Sequence, residues 1–466
     1  MAARASTIRE PAGATAAERA GRMGPWIVAL LVAFTLVRGV IWAYAIPPLN
    51  APDEPSHLIA VSQIRALRGL PVAILIDPNT LSENSSPRPP EVLAYLAQPQ
   101  FHYTRFRALS YESTQPPLYH LLCAVLTRPL PADPETLLYG CRLVSVLLGA
   151  LAVFAVARAA ATLAPRQPAF ALGVPLALTL WPQFGFQTAT LNNDIASTLA
   201  GAALTWAWAA AIRRPGDRRW TAGLGALTGL GLLCKLTVAA TLPGTGLILL
   251  GRARAGGAAL RRFVGHAVLA GAVAAVPVLP WVGRNLQVYG EPTGAAQMLS
   301  VIHSIYTTRL GVPAETRFIV PPLGDFVWYS FSSWWGVFGW RSVFLPGPLY
   351  VVAAGVTLLG AGGAAAWLVR RVRARQPLPP AQGWPLAACA VTIAAALANY
   401  ILYTVTTDAS LQGRYTFVAL AAVCLVGAGG VLHATRSPRL NAGLAGVALA
   451  GMVALQLGAW LTIGQS

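Results

Sequence analysis

The sequence predicts an all-α protein, a polytopic transmembrane helical bundle. Hydrophobic residues make up 55% of its 466 residues and charged residues only 11%, whereas ordinary soluble domains have about 25% charged residues. The mean hydropathy is +0.57. Apolar runs near the length that crosses a bilayer recur along the chain. These observations exclude a soluble enzyme, a disordered protein and a disulfide-rich secreted scaffold.

Eleven apolar runs are predicted to be spans, and two of them, 220–235 and 237–251, are short enough to form a partly re-entrant pair instead. Residues 1–23 are predicted to be a cytoplasmic basic leader, and residues 24–466 the bundle. The first span is too long for the core of a cleaved signal peptide. The predicted spans are 24–46, 137–163, 168–190, 195–212, 220–235, 237–251, 263–282, 347–369, 384–404, 416–433 and 440–463.

The placement of arginine predicts the orientation. Arginines collect in alternate connecting segments and most acidic residues lie in the others. Because cytoplasmic loops carry the excess of basic residues, the N-terminus is expected inside and the C-terminus outside. The net charge of +18 follows largely from these inner arginines, and no nucleic-acid partner is predicted. Two outer loops, 47–136 and 283–346, are long enough to hold a site on the outer face.

An acidic pair, Asp53 and Glu54, follows the first span and precedes Pro55 and His57. Residues 56–69 are predicted to form an amphipathic helix along the outer interface. Either carboxylate caps this helix, or the pair is held at the membrane surface as a general base or metal ligand. His57 would then lie within one helical turn of both.

A second outer motif is the run Gln115-Pro-Pro-Leu-Tyr119-His. It opens an apolar stretch, 118–127, that is too short to span and is predicted to be a second interfacial helix. A Pro-Pro turn leading into a helix is the simpler interpretation of the same residues.

The acidic pair, the Pro-Pro-Leu-Tyr element and the arginine-rich inner loops together resemble the GT-C superfamily of membrane glycosyltransferases. The layout is distantly similar to protein O-mannosyltransferases and aminoarabinose transferases. The Asp-Glu-Pro-x-x-His form most resembles an uncharacterised bacterial membrane-protein family. The resemblance implies a GT-C-like bundle with juxtamembrane helices in a bacterial cytoplasmic membrane.

The resemblance also implies roles for later residues. An acidic residue at the turn of Asn193 and Asp194 would help bind the donor phosphate or orient the acceptor, although Asn-Asp is also a good helix N-cap. The single lysine, Lys235, would meet a lipid phosphate or reach the interface by snorkelling. The remaining substrate-binding candidates are His57, Gln115, Tyr119, Arg284, Gln412, Arg414 and Tyr415. Interfacial anchoring is the alternative for Arg284, Arg414 and Tyr415.

The aromatic run 328–341 favours an interfacial belt, with a lipid or sugar contact as the alternative interpretation.

The predicted function is transfer of a sugar from a polyprenyl-phosphate donor to a glycan, lipid or protein acceptor at the outer face. Asp53 is expected to act as the base, with Glu54 as its helper or a metal ligand, and an inverting displacement is implied. A divalent metal ion is the one cofactor considered, and membrane lipid is the expected surrounding partner. A transporter or flippase of lipid-linked saccharides, or a non-catalytic subunit of an envelope-polysaccharide complex, is the alternative.

Overall fold

A computed structural model of the chain describes residues 16–77, 82–85, 87, 89–101, 111–254, 258–300, 321–406 and 411–465. Most of the predicted leader and part of the second outer loop lie outside these residues. The helices are α1 (Ala16–Ala45), α2 (Glu54–Leu67), α3 (Pro90–Leu96), α4 (Leu118–Leu126), α5 (Pro134–Leu163), α6 (Pro168–Thr179), α7 (Pro182–Thr188), α8 (Asp194–Ala211), α9 (Arg218–Cys234), α10 (Leu242–Arg254), α11 (Ala259–Tyr289), α12 (Leu323–Trp335), α13 (Gly347–Arg373), α14 (Pro380–Thr406), α15 (Leu420–Leu432) and α16 (Pro438–Ile463).

Short elements complete the described part of the fold. Three 3₁₀ turns cover Tyr111–Thr114, Leu236–Thr241 and Gly413–Ala419. Two antiparallel hairpins pair β1 (Ala73–Asp77) with β2 (Ser82–Ser85), and β3 (Val337–Phe338) with β4 (Val343–Phe344). The residues that the structure describes are therefore all-α apart from these hairpins, as the sequence predicts.

The helical bundle matches the predicted spans in position more closely than in number. Within the described residues, eight helical segments are long and apolar enough to cross a membrane. Two of these segments, Leu236–Arg254 and Gly413–Leu432, consist of a 3₁₀ turn continued by α10 or α15. The pair α6 and α7, bent by 62°, makes a ninth if it counts as one span. All eleven predicted runs coincide with helical segments. However, α8 and α9 do not pass the same test of length and hydropathy, so the count of eleven spans is not reproduced.

Helix α8 is buried on nearly all sides, which explains its modest hydropathy. It packs against α5, α9, α15 and the Gly413–Ala419 turn. Because protein rather than lipid surrounds it, it can carry hydroxyl side chains whose hydrogen bonds are satisfied within the helix. Ser197 and Thr198 donate to the carbonyl of Asp194, and Thr205 donates to that of Gly201.

Two glycines allow the close contacts that hold the Gly413–Ala419 turn in the bundle. A Cβ added to Gly201 of α8 would lie 1.9 Å from the carbonyl oxygen of Val418, and one on Gly413 would lie 2.3 Å from that of Ser330 in α12. Real Cβ atoms do not approach so closely, so the turn can pack between α8 and α12 only because both residues are glycine.

Helix α2 forms where the sequence predicts it, but its environment differs from the prediction. Residues 54–64 are all buried, so the helix packs inside the protein rather than lying with one face in the membrane interface. Polar contacts make this burial possible, since Gln63 accepts a hydrogen bond from Ser113. Only the C-terminal end, from Ala66 onwards, is exposed.

The aromatic run 328–341 is divided between the surface and the interior. Trp328 and Tyr329 are exposed, as an interfacial belt requires, whereas Trp335 and Phe338 are almost fully buried. The ring of Trp335 stacks on Trp181 at 4.2 Å between centroids, with 5° between their planes. The prediction of an interfacial run is therefore wrong for its C-terminal half, which anchors the break between α6 and α7.

Candidate active site

Four charged side chains from distant parts of the sequence form one cluster. Nη2 of Arg414 lies 3.0 Å from Oδ2 of Asp53, and its Nη1 lies 3.4 Å from Oδ2 of Asp194. Nζ of Lys235 lies 2.5 Å from Oδ1 of Asp194. We call these four residues the ion-pair cluster. The fold thus brings together four residues that the sequence analysis selected separately.

Asp53 occupies the N-cap position of α2 without capping the helix. Its φ of 68° and ψ of −7° are left-handed, and its side chain makes no capping hydrogen bond. Instead, Oδ1 accepts a hydrogen bond from the Tyr111 hydroxyl at 2.7 Å, and Oδ2 pairs with Arg414. A left-handed non-glycine residue costs about 1–3 kcal/mol, and such residues cluster at functional sites. The backbone therefore directs this carboxylate away from the helix and into the cluster.

Asp53 is also the most accessible member of the cluster. Its side chain is 31% exposed, whereas those of Asp194 and Arg414 are 5% and 4% exposed. A group that takes a proton from an incoming molecule must be reachable by it. Asp53 meets this condition, and Asp194 does not.

Lys235 reaches the cluster because the backbone changes direction at this residue. It is the C-cap of α9 and has extended backbone, with φ −163° and ψ 138°, before the Leu236–Thr241 turn. Its Nζ donates to Oδ1 of Asn193 at 2.9 Å as well as to Asp194. The side chain of Asn193 makes no capping hydrogen bond to α8. The side chains of Asn193 and Asp194 therefore bind Lys235 rather than cap the helix.

Tyr415 supports both cations of the cluster. Its ring centroid lies 5.7 Å from Nζ of Lys235 and 5.5 Å from Cζ of Arg414, within the range of a cation–π interaction. Its hydroxyl accepts a hydrogen bond from Nε2 of Gln412 at 3.0 Å. Gln412 therefore fixes the tyrosine, and the tyrosine faces the two groups best suited to a phosphate.

Glu54 is not part of this cluster. Its carboxylate is fully buried and accepts hydrogen bonds from Nε of Arg142 at 2.9 Å, from Nη2 of Arg142 at 2.8 Å and from the Leu191 amide at 2.9 Å. Arg142 also donates to the carbonyls of Ala43, Ile46 and Pro47. Glu54 therefore ties α2 and the end of α1 to α5, and this geometry does not support the expected role as helper of Asp53 or as metal ligand.

Two other candidates also have structural contacts. The Tyr119 hydroxyl lies 2.7 Å from Oγ of Ser145 and accepts a hydrogen bond from the Asn192 amide at 3.0 Å. It therefore holds the turn before Asp194 in place. Arg284 donates to the Pro71 carbonyl and to Oδ1 of Asn285, so it lies outside the ion-pair cluster.

A second polar group lies in the first outer loop. Nδ1 of His57 is 2.9 Å from Nε2 of His120 and 3.4 Å from Oε2 of Glu112. All three residues are buried, and one ligand atom from each lies within 4.8 Å of the others, so the three could hold a metal ion. We call them the His57–Glu112–His120 group. Sequence reasoning selected only His57.

Burial controls the protonation of this group. It lowers the pKa of His120 to about 4, and burial together with His120 lowers the pKa of His57 well below its usual range. Burial, with a smaller contribution from the Asp53 carboxylate, raises the pKa of Glu112 to about 8. Both imidazoles are therefore neutral at pH 7, and the charges of the ion-pair cluster influence Glu112.

A small cavity adjoins the same group. It measures about 10 Å³ and is lined by Glu112 and His120 among others, which is about the space that one water molecule needs. Gln115 and Arg284 also line it, and Nε2 of Gln115 lies 2.8 Å from Sδ of Met298. Two sequence-selected candidates thus border the His57–Glu112–His120 group rather than the ion-pair cluster.

A much larger cavity lies beside the ion-pair cluster. It has a volume of about 870 Å³, its walls come from α6, α12, α13, α14, α15 and α16, and they are mostly apolar. Gly413 and Thr416, which flank Arg414, belong to its lining. Val327 and Leu397, also in the lining, are exposed. The cavity therefore extends from the turn that carries Arg414 along α6, α15 and α16.

Comparisons with known proteins agree with this architecture. Residues 115–281 match the family described as dolichyl-phosphate-mannose-protein mannosyltransferase. Among solved structures, the chain resembles the oligosaccharyltransferase of Archaeoglobus fulgidus in complex with Zn and sulfate, with a TM-score of 0.56 and 14% identity over 94% of this chain. It resembles ArnT of Cupriavidus metallidurans bound to undecaprenyl phosphate, also with a TM-score of 0.56, with 15% identity over 94% of this chain.

These relatives are longer than the chain, which spans about half (53%) of the oligosaccharyltransferase chain and 76% of the ArnT chain. No curated protein matches by sequence. The family match and the shared fold confirm the predicted resemblance to the GT-C superfamily of membrane glycosyltransferases.

Proposed function

We propose that this protein is a glycosyltransferase that moves a sugar from a polyprenyl-phosphate donor to a glycan, lipid or protein acceptor at the outer face of the membrane. The observation that carries the proposal is the ion-pair cluster. It combines an accessible carboxylate, Asp53, with two cations, Lys235 and Arg414, next to a long apolar cavity. The arginine-rich loops on the opposite side favour an outer location.

The donor supplies an anionic head and an apolar tail, and the protein offers a matching place for each. Arg414 and Lys235 suit a phosphate, since arginine binds phosphate oxygens in bidentate fashion. The 870 Å³ cavity begins at the Arg414 turn and would take the first part of the lipid chain. The ArnT relative was solved with undecaprenyl phosphate, which is the class of lipid proposed here.

The charges of the cluster suggest how binding prepares the reaction. Two carboxylates balance two cations, so an entering phosphate must compete for Arg414 with Asp53. When the phosphate takes the guanidinium, Oδ2 of Asp53 is released, while Tyr111 still holds Oδ1. Donor binding therefore frees the base.

The transfer is then a single displacement. Asp53 takes the proton of an acceptor hydroxyl as that oxygen attacks the anomeric carbon. The bond from this carbon to the phosphate oxygen breaks, and its electron pair stays with the lipid phosphate. Arg414 and Lys235 stabilise that charge, and attack from the opposite face inverts the anomeric centre.

Asp53→Asn tests the proposal, with Asp133→Asn as the matched control. Asp133 caps α5 on the same outer loop through its side chain, and asparagine also caps helices well. With the full chain in lipid nanodiscs, binding is measured with undecaprenyl phosphate. Transfer is measured as release of undecaprenyl phosphate from a panel of its sugar esters when added glycans and lipids supply the acceptor hydroxyl. Asp53→Asn is expected to bind the lipid at least as tightly as wild type and to lose about 10²–10⁴-fold in release.

Unchanged release by Asp53→Asn would remove the base assignment. If the wild-type protein instead carries the lipid-linked sugar across the bilayer without breaking the sugar–phosphate bond, the protein is a flippase. Asp133→Asn is expected to match wild type in both measurements.

A further inference from the structure

We propose that the His57–Glu112–His120 group is a zinc site with three protein ligands and one open position. Three features point to a metal: the convergence of the donor atoms, a buried carboxylate oxygen that accepts no hydrogen bond from the residues the structure describes, and a cavity of one-water size beside the group. The site is distinct from the ion-pair cluster and does not depend on the transferase proposal.

The convergence of the three donors is unusual because they come from three separate elements. His57 belongs to α2, Glu112 to the Tyr111–Thr114 turn and His120 to α4. All three side chains are buried. Nδ1 of His57 lies 2.9 Å from Nε2 of His120 and 3.4 Å from Oε2 of Glu112, so donor atoms from three separate elements converge on one place.

The carboxylate of Glu112 supplies the second feature. Among the described residues, no hydrogen-bond donor satisfies its Oε2. This oxygen lies 3.4 Å from Nδ1 of His57, close to the separation of about 3.3 Å expected for two ligands of one tetrahedral zinc ion. The two histidine nitrogens, at 2.9 Å, need to separate by only about 0.4 Å to reach the same value.

The donor types favour zinc over magnesium, calcium and ferrous iron. Two neutral imidazoles and one carboxylate suit zinc, whereas magnesium and calcium prefer sets composed only of oxygens. Ferrous iron uses the same three donors but leaves several coordination positions open. The adjoining cavity of about 10 Å³ has room for about one water, which completes a four-coordinate site.

A metal here would fasten the first outer loop to the site that carries Asp53. Tyr111 precedes ligand Glu112, and its hydroxyl holds Oδ1 of Asp53. The ion would link that turn to α2 and α4, so its removal should loosen Tyr111. We therefore expect the zinc site to position Asp53 through Tyr111 and to stabilise the loop.

The test measures zinc directly in the purified full chain. The protein is dialysed against zinc and then against metal-free buffer, and its metal content is determined by mass spectrometry. Wild type is expected to retain about one zinc ion per chain, and the double variant His57→Ala/His120→Ala at least tenfold less. His266→Ala is the control, since Nδ1 of His266 lies 2.9 Å from Oγ1 of Thr221 and His266 is not a member of this group; this variant should retain the wild-type amount.

A second measurement uses only the wild-type protein, in case the double variant does not fold. The wild-type protein is first treated with a chelator to remove bound metal. Cobalt added to this protein should give the intense visible absorption of a four-coordinate ion, and added zinc should abolish that absorption. Absence of both zinc retention and the cobalt spectrum in wild type would show that the two histidines share an ordinary hydrogen bond. Equal zinc in wild type and in a folded double variant would place the ion elsewhere. Neither result bears on undecaprenyl phosphate binding, so this proposal fails separately from the proposed function.

Discussion

Replacing Glu54 by glutamine separates a structural role for this residue from a catalytic one. The side chains of Glu54 and Arg142 are 0% exposed, and the carboxylate accepts two hydrogen bonds from the guanidinium. Breaking a buried ion pair by neutralising one partner costs about 3–5 kcal/mol, because the other charge stays buried without compensation. The amide NH₂ of the glutamine would also meet N–H groups of Arg142 that need an acceptor.

Glu54→Gln is therefore expected to lower the free energy of unfolding by about 3–5 kcal/mol. Asp53→Asn is the neighbouring control. The Asp53 side chain is 31% exposed, and the buried Arg414 keeps its contact with Asp194 when Asp53 is neutralised, so a smaller loss of stability than for Glu54→Gln is expected. Asparagine also tolerates the left-handed backbone at this position.

The assay is reversible unfolding of both variants in mixed detergent micelles, followed by circular dichroism, beside undecaprenyl phosphate release. We expect Glu54→Gln to lose stability and Asp53→Asn to lose release. A Glu54→Gln protein with wild-type stability that releases no lipid phosphate would refute the reasoning, since it would make Glu54 a participant in the reaction.

Two further predictions concern the donor. Arg414→Ala should weaken undecaprenyl phosphate binding about 10–100-fold, since a hydrogen bond to a charged group contributes about 1.5–3 kcal/mol; an unchanged Kd in nanodiscs would place the phosphate elsewhere. Gly446→Leu should weaken the same binding about tenfold, because Gly446 lines the large cavity with open space beside it and the leucine would displace about two methylene groups of the lipid. Gly443→Leu is its control, since Gly443 is on the same helix with open space but outside the cavity lining, and equal weakening by both variants would argue against lipid in the cavity.

The sequence by itself determined the class of fold. Apolar run length depends on local composition, and the bilayer imposes a fixed length on any helix that crosses it. For this reason the predicted runs coincide with helices such as α5 and α16 to within a few residues. The sequence also selected Asp53, Asp194, Lys235 and Arg414, because charged groups are costly in an apolar chain and stand out from it.

The tertiary structure decided which of the charged residues share a site. Asp53 and Glu54 are adjacent and chemically alike, yet the left-handed backbone at Asp53 sends its carboxylate to Arg414 while Glu54 meets Arg142. The pairing of Glu54 spans 88 positions and that of Asp53 spans 361.

The His57–Glu112–His120 group was beyond sequence reasoning for the same reason. Its ligands have no regular spacing, and they meet only because α2, α4 and the intervening turn pack together. Burial, which changes the pKa of a side chain and determines its partners, likewise arises only from that packing. Local sequence thus determined the positions of the helices and identified the charged residues. The long-range contacts of the folded chain determined which partner each of these residues has.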